Sequence, residues 1–198
     1  KAKNCLMDRE LVIAELSNFV RSLPRTKCKV YLLHGDMTDE EIHSLYQHPK
    51  ISAFVALPHG EGFGLPIFEA TYSGIPVVAT GWSGQLDYLY DEKKNENFYN
   101  VAFDLNAIQP EVVWDGVLIK ESMWAYAREV SAKEKLRECY NDIQNNKGIV
   151  KKSAKIAKAL HERFSAEKMY ERFVGNVVSL EEIDQMKQDV NDLLNDLL

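Results

Sequence analysis

An α/β domain with a parallel sheet covered on both faces, followed by a helical extension, is the fold class this sequence predicts. Short, continuously apolar strand candidates alternate with helical patterns through the first two thirds of the chain, as strands buried on both faces require. From Ser122 onward the patterning is helical only. The chain has 198 residues, of which 45% are hydrophobic and 27% charged. That suits one domain of ordinary size, or one and a fraction, and excludes disordered, collagen-like and disulfide-scaffold classes.

Each element follows from local signals. Leu11, Val12, Leu16, Phe19 and Val20 recur at helical spacing within residues 8–23, and Pro24 ends that helix. Residues 29–33 read as a buried strand. Thr38, with Glu41 three residues on, forms a capping box that opens a helix carrying Ile42, Leu45 and Tyr46, stopped by Pro49. Residues 51–57 are a second β-rich run, and 58–64 a glycine-rich loop. Pro66 suits the first turn of a helix that runs to Ser73 and meets Gly74 as its C-terminal stop. Residues 75–79 are a third strand, 85–90 a short helix and 98–103 a fourth strand. Helices are then expected over about 122–146, 149–163 and 166–198, with Gly148 and Ser165 as breaks and Gly175 able to kink or end the last.

Charge and cysteines narrow the function classes. The net charge is −6, which disfavours a broad nucleic-acid surface. Residues 179–198 hold six acids and one base, so nearly all of that charge sits in the tail. Its Ile183, Met186, Val190, Leu193 and Leu197 form a heptad-like apolar stripe that must bury against another surface. Cys5, Cys28 and Cys139 are far apart and in no C-x-x-C pair. They predict free thiols in a reducing cytosol, and no spacing resembles a zinc site. No apolar run approaches the ~20 residues a membrane span needs, and no signal-peptide pattern is visible.

The segment that carries chemistry is His59-Gly60-Glu61-Gly62-Phe63-Gly64-Leu65-Pro66-Ile67-Phe68-Glu69-Ala70, which follows a strand and opens a helix. Open α/β sheets bind ligands at the carboxyl ends of their strands. A helix N-terminus there offers N–H groups and partial positive charge to a diphosphate. The glycines let backbone approach a ligand. A carboxylate can accept two hydrogen bonds from a vicinal diol. One acid in the loop and one in the helix could therefore hold the two sugar ends of a nucleotide-sugar. Spacing alone favours a bland reading, in which Glu69 complements the helix dipole and Glu61 is solvated.

The stretch from Glu61 through Gly-Phe-Gly-Leu-Pro-Ile-Phe to Glu69, continued by Gly74-Ile-Pro76-Val-Val, resembles the Glu-x7-Glu signature of retaining GT-B glycosyltransferases, family 4 in particular. Flanking pieces resemble it too: Lys3-Asn4, the stretch from Gly35 to Leu45-Tyr46, Trp82-Ser83-Gly84-Gln85-Leu86-Asp87, Trp124-Ala125 as the opening of a helix, and Ser165-Ala-Glu. The resemblance covers most of residues 3–178. It implies a Rossmann-like three-layer domain, the donor-binding C-terminal half of a GT-B enzyme, over residues 1–164, with 165–198 as a helical extension. It implies sugar transfer from a nucleoside-diphosphate-sugar with retention of configuration, without a metal or other cofactor. Glu61 would hydrogen-bond donor-sugar hydroxyls and Glu69 the ribose. Gly62 and the backbone N–H groups of Phe63, Gly64 and Leu65 would line sugar and diphosphate. Lys3 would neutralise diphosphate charge, the backbone near Met37 would meet the nucleobase, and Gly84 and Asp87 would shape the pocket floor.

The family's upstream Arg is absent, only one clear strand candidate precedes the Leu-Tyr helix, and no acceptor domain is present. The expectation is therefore half of a larger cytoplasmic protein, acting on a sugar, lipid or protein acceptor. His34, His59 and Trp82 are expected as pocket-wall or structural residues. Lys151, Lys152, Lys155 and Lys158 form a basic helical stripe that admits a weak membrane-surface contact. The acidic tail admits two partners, the missing domain or a second copy through 179–198. A catalytically silent assembly module that works through this tail is the competing reading. The phosphorylases and UDP-sugar epimerases that share GT-B architecture are a further one.

Overall fold

A computed structural model describes residues 5–24, 28–145 and 148–196. The chain divides into two units, Lys1–Leu45 and Tyr46–Leu198. In the first unit, α1 (Leu6–Ser22) is the expected helix, closed by Leu23 N–H donating to the Val20 carbonyl. The capping box forms as expected: Thr38 N–H donates to Glu41 Oε2 at 2.8 Å, and Glu41 N–H donates to Thr38 Oγ1 at 3.2 Å. It opens α2 (Asp39–Tyr46), whose last residue begins the second unit. The strand expected at 29–33 is not one: among the described residues it belongs to no ladder, and Val30, Tyr31, Leu32 and Leu33 are exposed. An apolar run becomes a strand only where its backbone groups meet a neighbour, and no described strand pairs with this one.

The second unit is built on a parallel sheet in the order β1 (Phe54–Ala56), β2 (Val77–Thr80), β3 (Tyr99–Val101). Phe54 pairs with Val77, and Val78 with Tyr99. All four residues of β2 are buried, as a central strand covered on both faces requires. Between β1 and β2 runs α3 (Leu65–Tyr72), which packs on both strands. Gly74, at φ +81°, ends it in a Schellman motif: Gly74 N–H donates to the Thr71 carbonyl and Ile75 N–H to that of Ala70. The short α4 (Leu86–Leu89) follows β2, with Tyr88 and Leu89 buried.

The largest departure from expectation comes after β3. Residues 103–107 and 123–127 form an antiparallel pair, β4 (Phe103–Ala107) with β5 (Met123–Ala127). The helical patterning from Ser122 and the resemblance of Trp124-Ala125 to a helix opening predict the start of a helix here. Strand pairing wins because Met-Trp-Ala-Tyr-Ala alternates: Ala125 is buried, and Trp124 and Tyr126 both contact the His59 ring. Arg128 closes the end of the pair on Asp104 through Nε at 3.0 and 2.9 Å. That contact holds the Asp104 carboxyl below its ordinary value.

Helix α5 (Glu129–Asn145) starts only after β5 and lies on β2 and β3. Its Ala132 and Cys139 join Val78, Tyr99 and Val101 in one core cluster. Next, α6 (Gly148–Arg163) buries Ser153, Ala157 and Leu160 and packs on α3, leaving the lysine stripe exposed. The helical stretch expected over 166–198 is two helices, α7 (Ala166–Gly175), which ends at the glycine expected to kink or end it, and α8 (Leu180–Asp196). A second capping box makes the break: Ser179 N–H donates to Glu182 Oε2 at 2.8 Å, and Glu182 N–H to Ser179 Oγ at 3.2 Å. Met186, Val190 and Leu193 on α8 stand exposed. Among the described residues, no helix is long and apolar enough to cross a membrane.

The thiols separate by burial. Cys5 and Cys28 are exposed, whereas burial and then the Asp142 charge push the Cys139 thiol up to about 11. Thiolate is the reactive form. Iodoacetamide at pH 8 is therefore expected to label Cys5 and Cys28 in the folded chain, and Cys139 only after denaturation. Labelling of Cys139 at the rate of the other two would contradict the seating of α5 on the sheet.

Candidate functional site

Two loops at the carboxyl ends of adjacent strands meet here: 57–64 after β1, and 81–85 after β2. Their junction joins the Glu61 main chain to Ser83 and Gly84. The Glu61 carbonyl accepts from Gly84 N–H at 2.9 Å and from Ser83 Oγ at 2.8 Å, and Glu61 N–H donates back to Ser83 Oγ at 3.2 Å. Gly84 lies so close under the loop that a Cβ on it would sit 2.6 Å from the Gly62 carbonyl carbon. Glycine is therefore obligatory at 84 for a steric reason.

The loop enters α3 through Gly64, which takes φ +80° as the residue before the helix. No side chain caps this N-terminus, and Pro66 occupies its first turn. The helix start keeps its partial positive charge on the side where Gly62 and Leu65 are exposed. From below, the buried Tyr88 hydroxyl lies 2.9 Å from the carbonyls of both Phe63 and Gly64. Its one proton is shared between them. Burial, then the Glu61 charge, pushes this phenol well above its ordinary range. Phe63 turns its ring inward against Phe68, Tyr88 and Phe164.

Glu61 and Glu69 are each half-buried. Glu69 is in α3 and is held by Tyr46, whose hydroxyl also donates to the Pro66 carbonyl at 3.3 Å. Burial, then Glu69, pushes the Tyr46 phenol up to about 12, so it remains a hydrogen-bond donor across physiological pH.

Of the residues singled out from sequence, Glu61, Gly62, Phe63, Gly64, Leu65, Glu69 and Gly84 share this neighbourhood. Asp87 is engaged elsewhere: Arg163 of α6 donates Nη2 to its Oδ2 at 2.8 Å and Nη1 to its carbonyl at 2.7 Å. Met37 belongs to the first unit, and Lys3 lies outside the described residues. His59 is tied down through Nδ1, 2.8 Å from the Ala125 carbonyl, with its ring stacked on Trp124. A carbonyl only accepts, so Nδ1 carries the proton, and this imidazole braces the loop against β5.

Sequence reasoning missed Tyr46, Ser83, Tyr88 and Phe164 as members of this constellation. A hollow of about 1210 Å³ opens among the 91–97 loop, α6 and α7, with Tyr88 in its wall. Its lining mixes six cations with five acids, so it selects no ligand charge. Among the described residues, no group of three or more His, Cys, Asp or Glu could hold a metal ion.

A family model described as glycosyl transferases, group 1, matches residues 26–148, well over half of the chain. The matched span contains Glu61, Glu69 and Gly84 with both loops of the junction. No curated protein and no solved structure gives a significant match.

Proposed function

This chain belongs to the group 1 glycosyl transferases, whose chemistry is sugar transfer, and we propose that it is the donor-binding half of a retaining, metal-independent enzyme that uses a nucleoside-diphosphate-sugar. One observation supports this above the rest. Two half-buried carboxylates flank an uncapped helix start on a loop that Ser83, Gly84 and Tyr88 hold from below. Such an array suits a ligand with hydroxyls at both ends and a dianion in the middle. Glu69 accepts from the ribose diol and Glu61 from the donor sugar. The N-terminus of α3 receives the diphosphate and stabilises it as charge builds on departure. The two acids orient the donor and shuttle no proton, so their contribution is positional.

Calorimetric titration with UDP, GDP and ADP tests this, on the wild type and on Glu69→Ala. One nucleotide is expected to bind. Glu69→Ala is expected to lose ~1.5–3 kcal/mol, the scale of a charged hydrogen bond, or roughly ten- to hundred-fold in affinity. An unchanged affinity would remove the ribose assignment. Failure of all three nucleotides to bind would favour a silent assembly module, for which the exposed apolar stripe of α8 is the candidate surface.

A further inference from the structure

Glu61 stands between Gly60 and Gly62, the two neighbours least able to fix its backbone. Its conformation is imposed across space by one side chain. Ser83 Oγ accepts from Glu61 N–H and donates to the Glu61 carbonyl, so both backbone groups of the residue are held by a single hydroxyl. Gly84 N–H adds a second bond to the same carbonyl.

Ser83 takes up this position in an unfavourable backbone conformation, φ +81°. That is the left-handed region, where glycine is unstrained and an L side chain is not. Lys94 is the other described non-glycine residue at positive φ. A strained residue persists where the surroundings over-determine it, and such residues gather at working sites. Here the hydroxyl is what a glycine would lose.

We propose that Ser83 is a positioning residue for Glu61: its hydroxyl sets the backbone from which the Glu61 carboxylate reaches the sugar of the donor. This rests on the reading that Glu61 meets the donor sugar. It goes beyond that reading by separating the two ends of the ligand. Ser83 governs the sugar end, while the ribose end depends on Glu69 and Tyr46.

The test is Ser83→Gly, with Ser83→Ala beside it. Glycine relieves the strain as it removes the hydroxyl, so the variant is expected to fold with an unchanged or higher melting temperature. Amide hydrogen exchange at Glu61 is expected to accelerate at least roughly ten-fold in the ligand-free chain. Titrations would use UDP, GDP and ADP against UDP-glucose, GDP-mannose and ADP-glucose. The affinity of the nucleotide that binds is expected to stay within about two-fold, and that of its sugar conjugate to fall about ten-fold, as for one lost charged hydrogen bond. Unchanged exchange at Glu61 overturns the proposal. So does an equal loss for nucleotide and nucleotide-sugar, which would mean general loosening. A wild type that binds none of these ligands overturns the donor reading and the positioning role with it. The exchange comparison then still decides whether the hydroxyl holds the loop.

Discussion

Gly84→Ala is expected to destabilise the second unit by about 3 kcal/mol or more and to abolish nucleotide binding. Gly62→Ala, directly across the junction, is expected to leave stability within about 0.5 kcal/mol. The difference lies in what a new Cβ meets. At 84 it would sit 2.6 Å from the Gly62 carbonyl carbon and 2.8 Å from the Glu61 carbonyl oxygen, and closer still to the Gly62 carbonyl oxygen. All three are backbone atoms, so no rotamer change can make room. The two loops must separate, and the Gly84 and Ser83 bonds to Glu61 are lost with them. At 62 the Cβ meets nothing within 4 Å. Gly81 supplies an intermediate case, because its obstruction is the side chain of Asn100. Asn100 can rotate away at the expense of its bonds to Tyr90 and Glu96, each worth about 1 kcal/mol. Urea denaturation followed by circular dichroism measures the series. The expected order of loss is Gly84, then Gly81, then Gly62, and a wild-type midpoint for Gly84→Ala would refute the packing of the two loops.

The sequence showed this site only where its chemistry is local. The Glu pair, Gly62, Gly64 and Pro66 lie within nine consecutive residues, and the Thr38–Glu41 box within four, so each group is visible as one local segment. The supports are remote. Ser83 reaches Glu61 from 22 residues away, Tyr88 reaches Gly64 from 24, and Tyr46 reaches Pro66 from 20. No periodicity links such pairs, because they exist only once β1 and β2 lie side by side. The same logic explains the errors in secondary structure. Residues 29–33 have the composition of a strand, yet no described strand pairs with them. Residues 123–127 fall in the helical patterning that runs from Ser122, yet β4 offers a complete ladder from Phe103↔Ala127 to Ala107↔Met123. In both, pairing across the chain decided, and propensity did not. The split between α7 and α8 was legible at Gly175, where α7 ends, but not at the Ser179-Leu-Glu-Glu182 capping box that opens α8.

Tyr88 should separate the two ways in which this loop is supported. Tyr88→Phe keeps the ring against Phe63 and Phe68 and removes only the hydroxyl shared by the Phe63 and Gly64 carbonyls. It is expected to cost about 1–2 kcal/mol, the scale of buried acceptors left unpaired. Tyr88→Ala also empties a fully buried ring site and is expected to cost about 3–5 kcal/mol. pH distinguishes the hydroxyl further. Burial and the Glu61 charge raise this phenol's folded pKa above the unfolded value of about 10. The resulting stability is fully present below pH ~10 and is lost as pH rises toward the folded pKa, because the unfolded chain releases its proton first. Phenylalanine has no proton to release, so the deficit of Tyr88→Phe relative to wild type is expected to narrow above pH ~10. Chemical denaturation at pH 8 and at pH 10.5 measures the gap. A gap of constant size would mean that the hydroxyl is solvated rather than spent on the two carbonyls, and the entrance to α3 would then owe its shape to ring packing alone.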